Sequence, residues 1–201
     1  MTALTLEQVD AVRSRIARAH ALAAMRFREG FDGIAIADRT QAHLEIQAAA
    51  LIESAEHIRV RGAIRYDVDG TTVAPFVERG KPLFPFIDID RTPLSIFEYW
   101  LVISEILASP AWNVTKLIAS PGEYDDGLRR MESPQIVRAI PPPLLPSVEM
   151  RDDGTALLDV TLYTRAGEER IERRSLLLDR GNEFVFHARA LLAEGRGGVR
   201  V

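Results

Sequence analysis

The sequence predicts an α+β protein with an N-terminal helical hairpin, a β-hairpin, one buried helix and a C-terminal antiparallel meander. Three observations predict this class. Apolar residues recur at helical spacing through residue 57, alternation with a period of two begins at Ile58, and alternation between turn signals returns in the last third. The 201 residues are 47% hydrophobic and 27% charged, a composition typical of globular proteins, which excludes a disordered or low-complexity chain.

Two helices are predicted at the N-terminus, over residues 6–29 and 39–57. Thr5 and Gln8 have the spacing of a capping box before the first helix, and Gly30 is typical of the residue that follows a helix end. The apolar positions of the second helix repeat every three or four residues. The short connection between the helices predicts that they pack as an antiparallel pair.

A β-hairpin is predicted from residues 58–68 and 71–77. Its turn is placed at Asp69-Gly70, because these residues tolerate the positive φ angles of a tight turn. Further along the chain, Phe86–Asp90 and Trp112–Ala119 are predicted to be additional strands. The segment from Ser120 to Gly127 is predicted to be a loop, from its Pro, Gly and Asp content.

A third helix is predicted over residues 94–108, with Thr92-Pro93 at its start. It is apolar nearly all round, which predicts burial on most of its surface. Its polar residues form a single line that consists of Ser95, Glu98, Glu105 and Ser109.

In the C-terminal part, alternating segments between turn signals predict a four-stranded antiparallel meander wrapped round this helix. Its strands are Val148–Arg151, Ala156–Thr164, Arg170–Asp179 and Phe184–Leu192. Residues 1–201 are predicted to form a single α+β domain, with a subdivision near Pro141–Pro143 as the alternative. Residues 195–201 are predicted to be a loose tail.

In outline this order of elements resembles the cystatin-like or NTF2-like layout. The resemblance is strongest in the closing meander, over Ala156–Leu192. It implies that a curved sheet and helices enclose a conical pocket. It does not imply a particular activity, because one fold supports many functions.

Composition and motifs exclude several classes of function. The chain has no Cys, which excludes disulfides, thiolate metal sites and a Cys nucleophile. Its net charge of −4 disfavours a nucleic-acid partner. No segment has the roughly 20 apolar residues of a membrane span or the pattern of a signal peptide, so a cytoplasmic protein without a membrane partner is predicted. The four histidines are not at ligand spacing, and no metal or cofactor is predicted.

Glu98 is the first candidate catalytic residue, with Tyr99 beside it. A carboxyl group in so apolar a helix lies either on an exposed edge or against an enclosed pocket. In a pocket, burial favours the protonated carboxyl and makes it a usable general acid or base. We expect it to be shielded from water, where it must either have a hydrogen-bond donor such as Arg189 or His187 or be protonated.

The last predicted strand supplies the other candidates. By alternation His187 and Arg189 share one face, which is either concave and directed at a ligand or convex and directed at solvent. His187 is the third candidate catalytic residue. The candidate ligand-binding residues are Arg189, Tyr163 and Trp100.

Two groups of charged residues have alternative interpretations. Asp88 and Asp90 share a strand face and could hold a divalent cation, but Asp90 at the start of the third helix is more simply explained as capping. Three arginines share another strand face, which either binds an anionic ligand or acidic partner or is solvated: Arg59, Arg61 and Arg65.

Two functions are compatible with these patterns. The first is a small-molecule-binding pocket protein that acts as an acid–base enzyme, in a proton transfer or a hydration. The alternative is a non-catalytic interaction or assembly subunit that uses the helical hairpin and exposed strand edges. A homodimer is predicted because symmetric pairing is the commonest way to cover such surfaces.

Overall fold

The computed structural model describes residues 1–30, 36–69, 72–107, 115–138, 143–165 and 169–195. In these ranges four helices and a seven-stranded antiparallel sheet confirm the predicted α+β class. The chain divides into two compact units. Unit 1 contains Met1–Val9 and Pro110–Val201, and unit 2 contains Asp10–Ser109. Neither boundary lies near residues 141–143, and the single domain stays a prediction.

The two N-terminal helices are present and begin close to their predicted starts. Helix α1 spans Leu6–Gly30 and α2 spans Ile36–Ser54, three residues before the predicted range at both ends. The predicted capping box is confirmed. Thr5 Oγ1 accepts from the Gln8 amide at 3.2 Å, and Gln8 Oε1 accepts from the Thr5 amide at 2.9 Å.

The β-strands of unit 2 form two separate pairs. Strand β2 (Ile58–Val60) pairs with β5 (Ile87–Ile89), and β3 (Arg65–Asp69) pairs with β4 (Thr72–Phe76). The hairpin is therefore confirmed at β3 and β4. Its predicted turn includes Gly70, which lies outside the described residues.

The prediction of one continuous strand over residues 58–68 is wrong, because the backbone turns at Gly62. The φ angle of Gly62 is +123°, and a Cβ atom there would lie 2.6 Å from Val77 Cγ1. Both observations require glycine at this position. Ladder pairing therefore stops after Val60 and resumes with a different partner at Arg65.

Helix α3 spans Pro93–Leu107 and is buried on most of its surface, as predicted. Its start is stabilised by Thr92, whose Oγ1 accepts from the Ser95 amide at 3.1 Å. Within unit 2 it packs against α2, β2, β4 and β5. The strands of the meander belong to unit 1, so a sheet wrapped round α3 stays a prediction.

The sheet of unit 1 contains the predicted meander, with strands β8, β9, β10 and β11 in sequential order. The short strands β1 and β7 flank the meander beside β8 and β11, and β6 pairs with the second half of β9. The strands span Thr2–Ala3 (β1), Thr115–Ile118 (β6), Gln135–Ile136 (β7), Ser147–Met150 (β8), Ala156–Thr164 (β9), Glu169–Leu178 (β10) and Phe184–Gly195 (β11).

The predicted loop after Ser120 is a helix, α4, over Pro121–Arg130. Ser120 Oγ accepts from the Glu123 amide at 3.3 Å, and Glu123 Oε2 accepts from the Ala119 amide at 2.7 Å. The Ser-x-x-Glu spacing with Pro at the first helical position therefore overrides the turn-rich composition. The buried Tyr124 joins α4 to the core of unit 1, which includes Ile118, Met131, Tyr163, Ile171 and Leu192.

Candidate functional site

The carboxyl group of Glu98 is shielded from water, which confirms the sequence-based expectation. Its side chain is 2% exposed. Arg15 on α1 donates from Nε to Glu98 Oε1 at 2.8 Å, and its Nη2 lies 2.7 Å from the same oxygen. The expectation that His187 or Arg189 is the donor is wrong. Arg15 belongs to unit 2 together with Glu98, whereas β11 belongs to unit 1.

Two backbone amides complete the surroundings of Glu98. The His57 amide donates to Oε2 at 2.9 Å and the Glu56 amide at 3.3 Å, both just beyond the end of α2. The Glu56 side chain also lies 3.1 Å from Arg15 Nη1. Because a buried carboxylate needs such partners, this arrangement joins α1, the end of α2 and α3.

Asp90 has a different partner from the one predicted. Its Oδ2 lies 3.0 Å from His57 Nδ1. The predicted capping of α3 by Asp90 is therefore wrong, and Thr92 caps this helix instead. Asp88, the other member of the predicted pair, lies 3.4 Å from Arg61 Nε.

The remaining predicted site residues are distributed over the two units. Tyr99 and Trp100 are buried on α3 in unit 2. Tyr163 is buried in unit 1, where its hydroxyl donates to Glu169 Oε1 at 2.9 Å; burial, together with this hydrogen bond, raises the pKa of Tyr163. His187 and Arg189 are exposed on β11.

A cavity of about 480 Å³ lies in unit 2 between α2 and the chain from Val60 to Arg65. This volume is in the range of small-molecule sites. None of the six predicted site residues lines it. Most of the wall is apolar and consists of Ile46, Ala48, Ala49, Ile52, Val60, Ala63 and Ile64.

The polar groups of the cavity wall are ion-paired. Arg65 Nη1 lies 2.6 Å from Glu45 Oε2, and Glu53 Oε2 lies 2.8 Å from Arg26 Nη1 on α1. Of the three arginines considered from the sequence, Arg65 alone belongs to the lining. The two lining carboxylates are thus neutralised by neighbouring guanidinium groups, which leaves a predominantly apolar surface.

Sequence patterns contain one signal for this cavity. On α2, Leu44, Ala48 and Leu51 form the buried stripe. Ile46 and Ile52 lie outside that stripe, although an amphipathic helix usually has polar residues there. The position of the opposite wall depends on the turn at Gly62, which period counting does not detect.

Comparison with protein-family models, with curated proteins and with solved structures finds no match for this chain. Among the described residues, no group of three or more His, Asp and Glu side chains is placed to hold a metal ion. No helix in the described ranges has the length and apolar character needed to cross a membrane.

Proposed function

We propose that the chain binds a small, predominantly apolar and uncharged molecule in the cavity between α2 and residues 60–65. The observation that supports this function is the apolar wall, whose charged residues Glu45, Glu53 and Arg65 are already ion-paired. A ligand that covers these apolar groups gains free energy in proportion to the area removed from water. A charged ligand is disfavoured because it would have to compete with the existing ion pairs of Glu45 and Glu53.

The proposal concerns binding and leaves Glu98 in a structural role. Both oxygens of Glu98 accept hydrogen bonds, and Glu98 is not among the residues that line the cavity. A general acid or base must come within hydrogen-bond reach of its substrate. Acid–base catalysis by Glu98 therefore stays a prediction of the sequence patterns.

The test is a titration with the neutral fluorescent probe N-phenyl-1-naphthylamine. Ala49 is exposed at the cavity wall, so Ala49→Trp places an indole in the cavity without disturbing a buried position. We expect the wild-type chain to bind the probe with a dissociation constant in the micromolar range, about −8 kcal/mol. Ala49→Trp is expected to weaken binding at least about tenfold, or by ~1.4 kcal/mol.

Ala21→Trp is the matched control, because Ala21 is also an exposed helical alanine and does not line the cavity. Both variants add the same fluorophore and the same apolar area. The control is expected to bind the probe like the wild type. Equal binding by all three chains would overturn the proposal, as would tighter binding of the anionic probe 1-anilinonaphthalene-8-sulfonate.

A further inference from the structure

The cavity in unit 2 follows helix α2 for about two turns. Glu45 and Glu53 both belong to its wall and lie eight positions apart, which corresponds to about 12 Å along the helix axis. Between them on the helix the wall includes Ile46, Ala49 and Ile52. The apolar part of this wall is therefore elongated, with a carboxylate at each end.

The ion pair of Glu45 bridges the two walls of the cavity. Its partner Arg65, at 2.6 Å, is a residue of the opposite wall. The other oxygen of Glu45 accepts a hydrogen bond from Gln41 Nε2 at 3.2 Å, one turn earlier on α2. The Glu45 side chain is only 18% exposed. This end of the cavity is thus closed by a bridge between α2 and β3.

The Glu53 end is open in the described part of the chain. Glu53 pairs with Arg26 on α1, which does not line the cavity, and the Glu53 side chain is 58% exposed. A molecule in the cavity therefore reaches water at the Glu53 end, whereas at the opposite end it meets the bridge between Glu45 and Arg65.

We propose that the ligand of this cavity is an unbranched alkyl chain of about nine or ten carbons with one neutral polar group, and that the Glu45–Arg65 pair limits its length. This inference rests on the proposed function and specifies the class of ligand. An extended chain with C–C bonds of about 1.5 Å advances about 1.25 Å per carbon, so about 12 Å holds nine or ten carbons. The polar group lies at the Glu53 end, where it keeps its hydrogen bonds with water.

A longer chain would have to pass the Glu45–Arg65 pair. Each methylene that is buried against the apolar wall should strengthen binding about fourfold. Beyond that wall, a further methylene removes water from two charged groups, which offsets the gain. Affinity should therefore rise with chain length up to a break, and the chain length at the break measures the distance to the ion pair.

The test is displacement of bound N-phenyl-1-naphthylamine by the primary alcohols from 1-hexanol to 1-dodecanol. For the wild-type chain we expect affinity to rise about fourfold per methylene up to about nine or ten carbons, and to change by less than about twofold beyond them. Glu45→Ala removes the bridge, and Arg65, which is 58% exposed, can then turn to solvent. In this variant the rise should continue, so that 1-dodecanol binds at least about tenfold more tightly than to the wild type.

Glu53→Ala is the matched control, because it removes the other carboxylate of the same helix at the open end. Any change in affinity should be the same for every alcohol, with the break at the wild-type chain length. Alcohol affinities without a break, or a break that Glu45→Ala leaves in place or that both variants move equally, would overturn this inference. If Ala49→Trp still weakens probe binding in that case, the proposed function stands.

The opposite failure is also distinct. If neither the probe nor any alcohol binds the wild-type chain, the proposed function is wrong and this inference with it. Exposed ion pairs contribute little to stability, so both alanine variants should fold, which circular dichroism verifies.

Discussion

The guanidinium of Arg15 and the carboxylate of Glu98 form an ion pair inside unit 2, with 2.8 Å between Nε and Oε1. The Arg15 side chain is 12% exposed and that of Glu98 is 2% exposed. Removing one member of a buried pair leaves the other charge without its partner, which costs far more than the net contribution of the pair. The two residues therefore offer a sensitive test of how unit 2 is held together.

We expect Arg15→Ala to lower the free energy of unfolding by about 3–5 kcal/mol, because it leaves a buried carboxylate without its cation. Glu98→Gln keeps the shape and one acceptor oxygen, and its cost should be smaller, about 1–3 kcal/mol. Urea unfolding measures both changes.

Arg18→Ala is the control for this pair, since Arg18 is an exposed arginine of the same helix. Its effect should stay within about 0.5 kcal/mol. A loss in Arg15→Ala no larger than that of the control would contradict the structural role of the buried pair.

A second prediction concerns pH and the pair between His20 on α1 and Glu105 on α3, whose Nε2 and Oε2 lie 3.2 Å apart. The hydrogen bond to Glu105 raises the pKa of His20 above its ordinary value of 6.5. The folded state therefore binds the proton more tightly, so the stabilisation is full below pH 6.5. It is lost as the pH rises through the pKa of the folded state.

Substitution of His20 by Gln should therefore destabilise the protein more at pH 5.5 than at pH 8.5. Both side chains are 38% exposed, so solvent screening limits the difference to less than about 1 kcal/mol. Urea unfolding of both chains at the two pH values measures it. A larger loss at pH 8.5 than at pH 5.5 would have the wrong sign for this pair.

A third prediction compares three glycines. Gly62→Ala should cost about 2–4 kcal/mol, because it adds a clash with Val77 to an unfavourable positive φ angle. Gly80→Ala has only the unfavourable φ of +79° with open space around it, and should cost about 1 kcal/mol. Gly122→Ala lies in α4 with open space and should stabilise by up to about 1 kcal/mol.

Thermal unfolding of the three variants gives the order of stability. In the Val77→Ala background the clash is absent and only the φ strain remains. Gly62→Ala should therefore cost less in that background than in the wild type. If Gly62→Ala and Gly80→Ala cost the same, the close approach to Val77 does not contribute.

The fourth prediction concerns the cap of α4. Ser120→Ala removes the side-chain acceptor of the Glu123 amide and should cost about 1 kcal/mol. Ser120→Asp keeps an acceptor and should restore most of the stability. Chemical denaturation with both variants tests this, and equal losses for Ala and Asp would argue against capping.

Elements with local signals could be predicted from the sequence. The capping box of Thr5 and Gln8 and the Thr92-Pro93 start of α3 depend on residues three positions apart or closer, and the structure confirms both. The helix after Ser120 has a comparable signal in Ser120 and Glu123, but its turn-rich composition predicts a loop. The shielding of Glu98 was also predictable, because α3 has large apolar groups around its circumference.

Contacts between distant parts of the chain could not be predicted in this way. Arg15 and Glu98 are 83 positions apart, and no periodicity relates a residue of one helix to its partner on another. The cavity could not be predicted for the same reason, since its second wall depends on the backbone turn at Gly62 and on the contact of Gly62 with Val77. The alternation of apolar and polar residues predicts a single strand over residues 58–68, which includes that turn.

Unit 1 consists of two chain segments that are separated by unit 2, and this affects the order in which the chain folds during synthesis. Strand β1 pairs with β8, so Thr2 has to wait for Val148 to be translated. Unit 2 is a single uninterrupted segment, and all of it leaves the ribosome before the long strands β9, β10 and β11 exist. Because domains form as their segments emerge, the nascent chain completes unit 2 first, while its N-terminal strand is still without a partner.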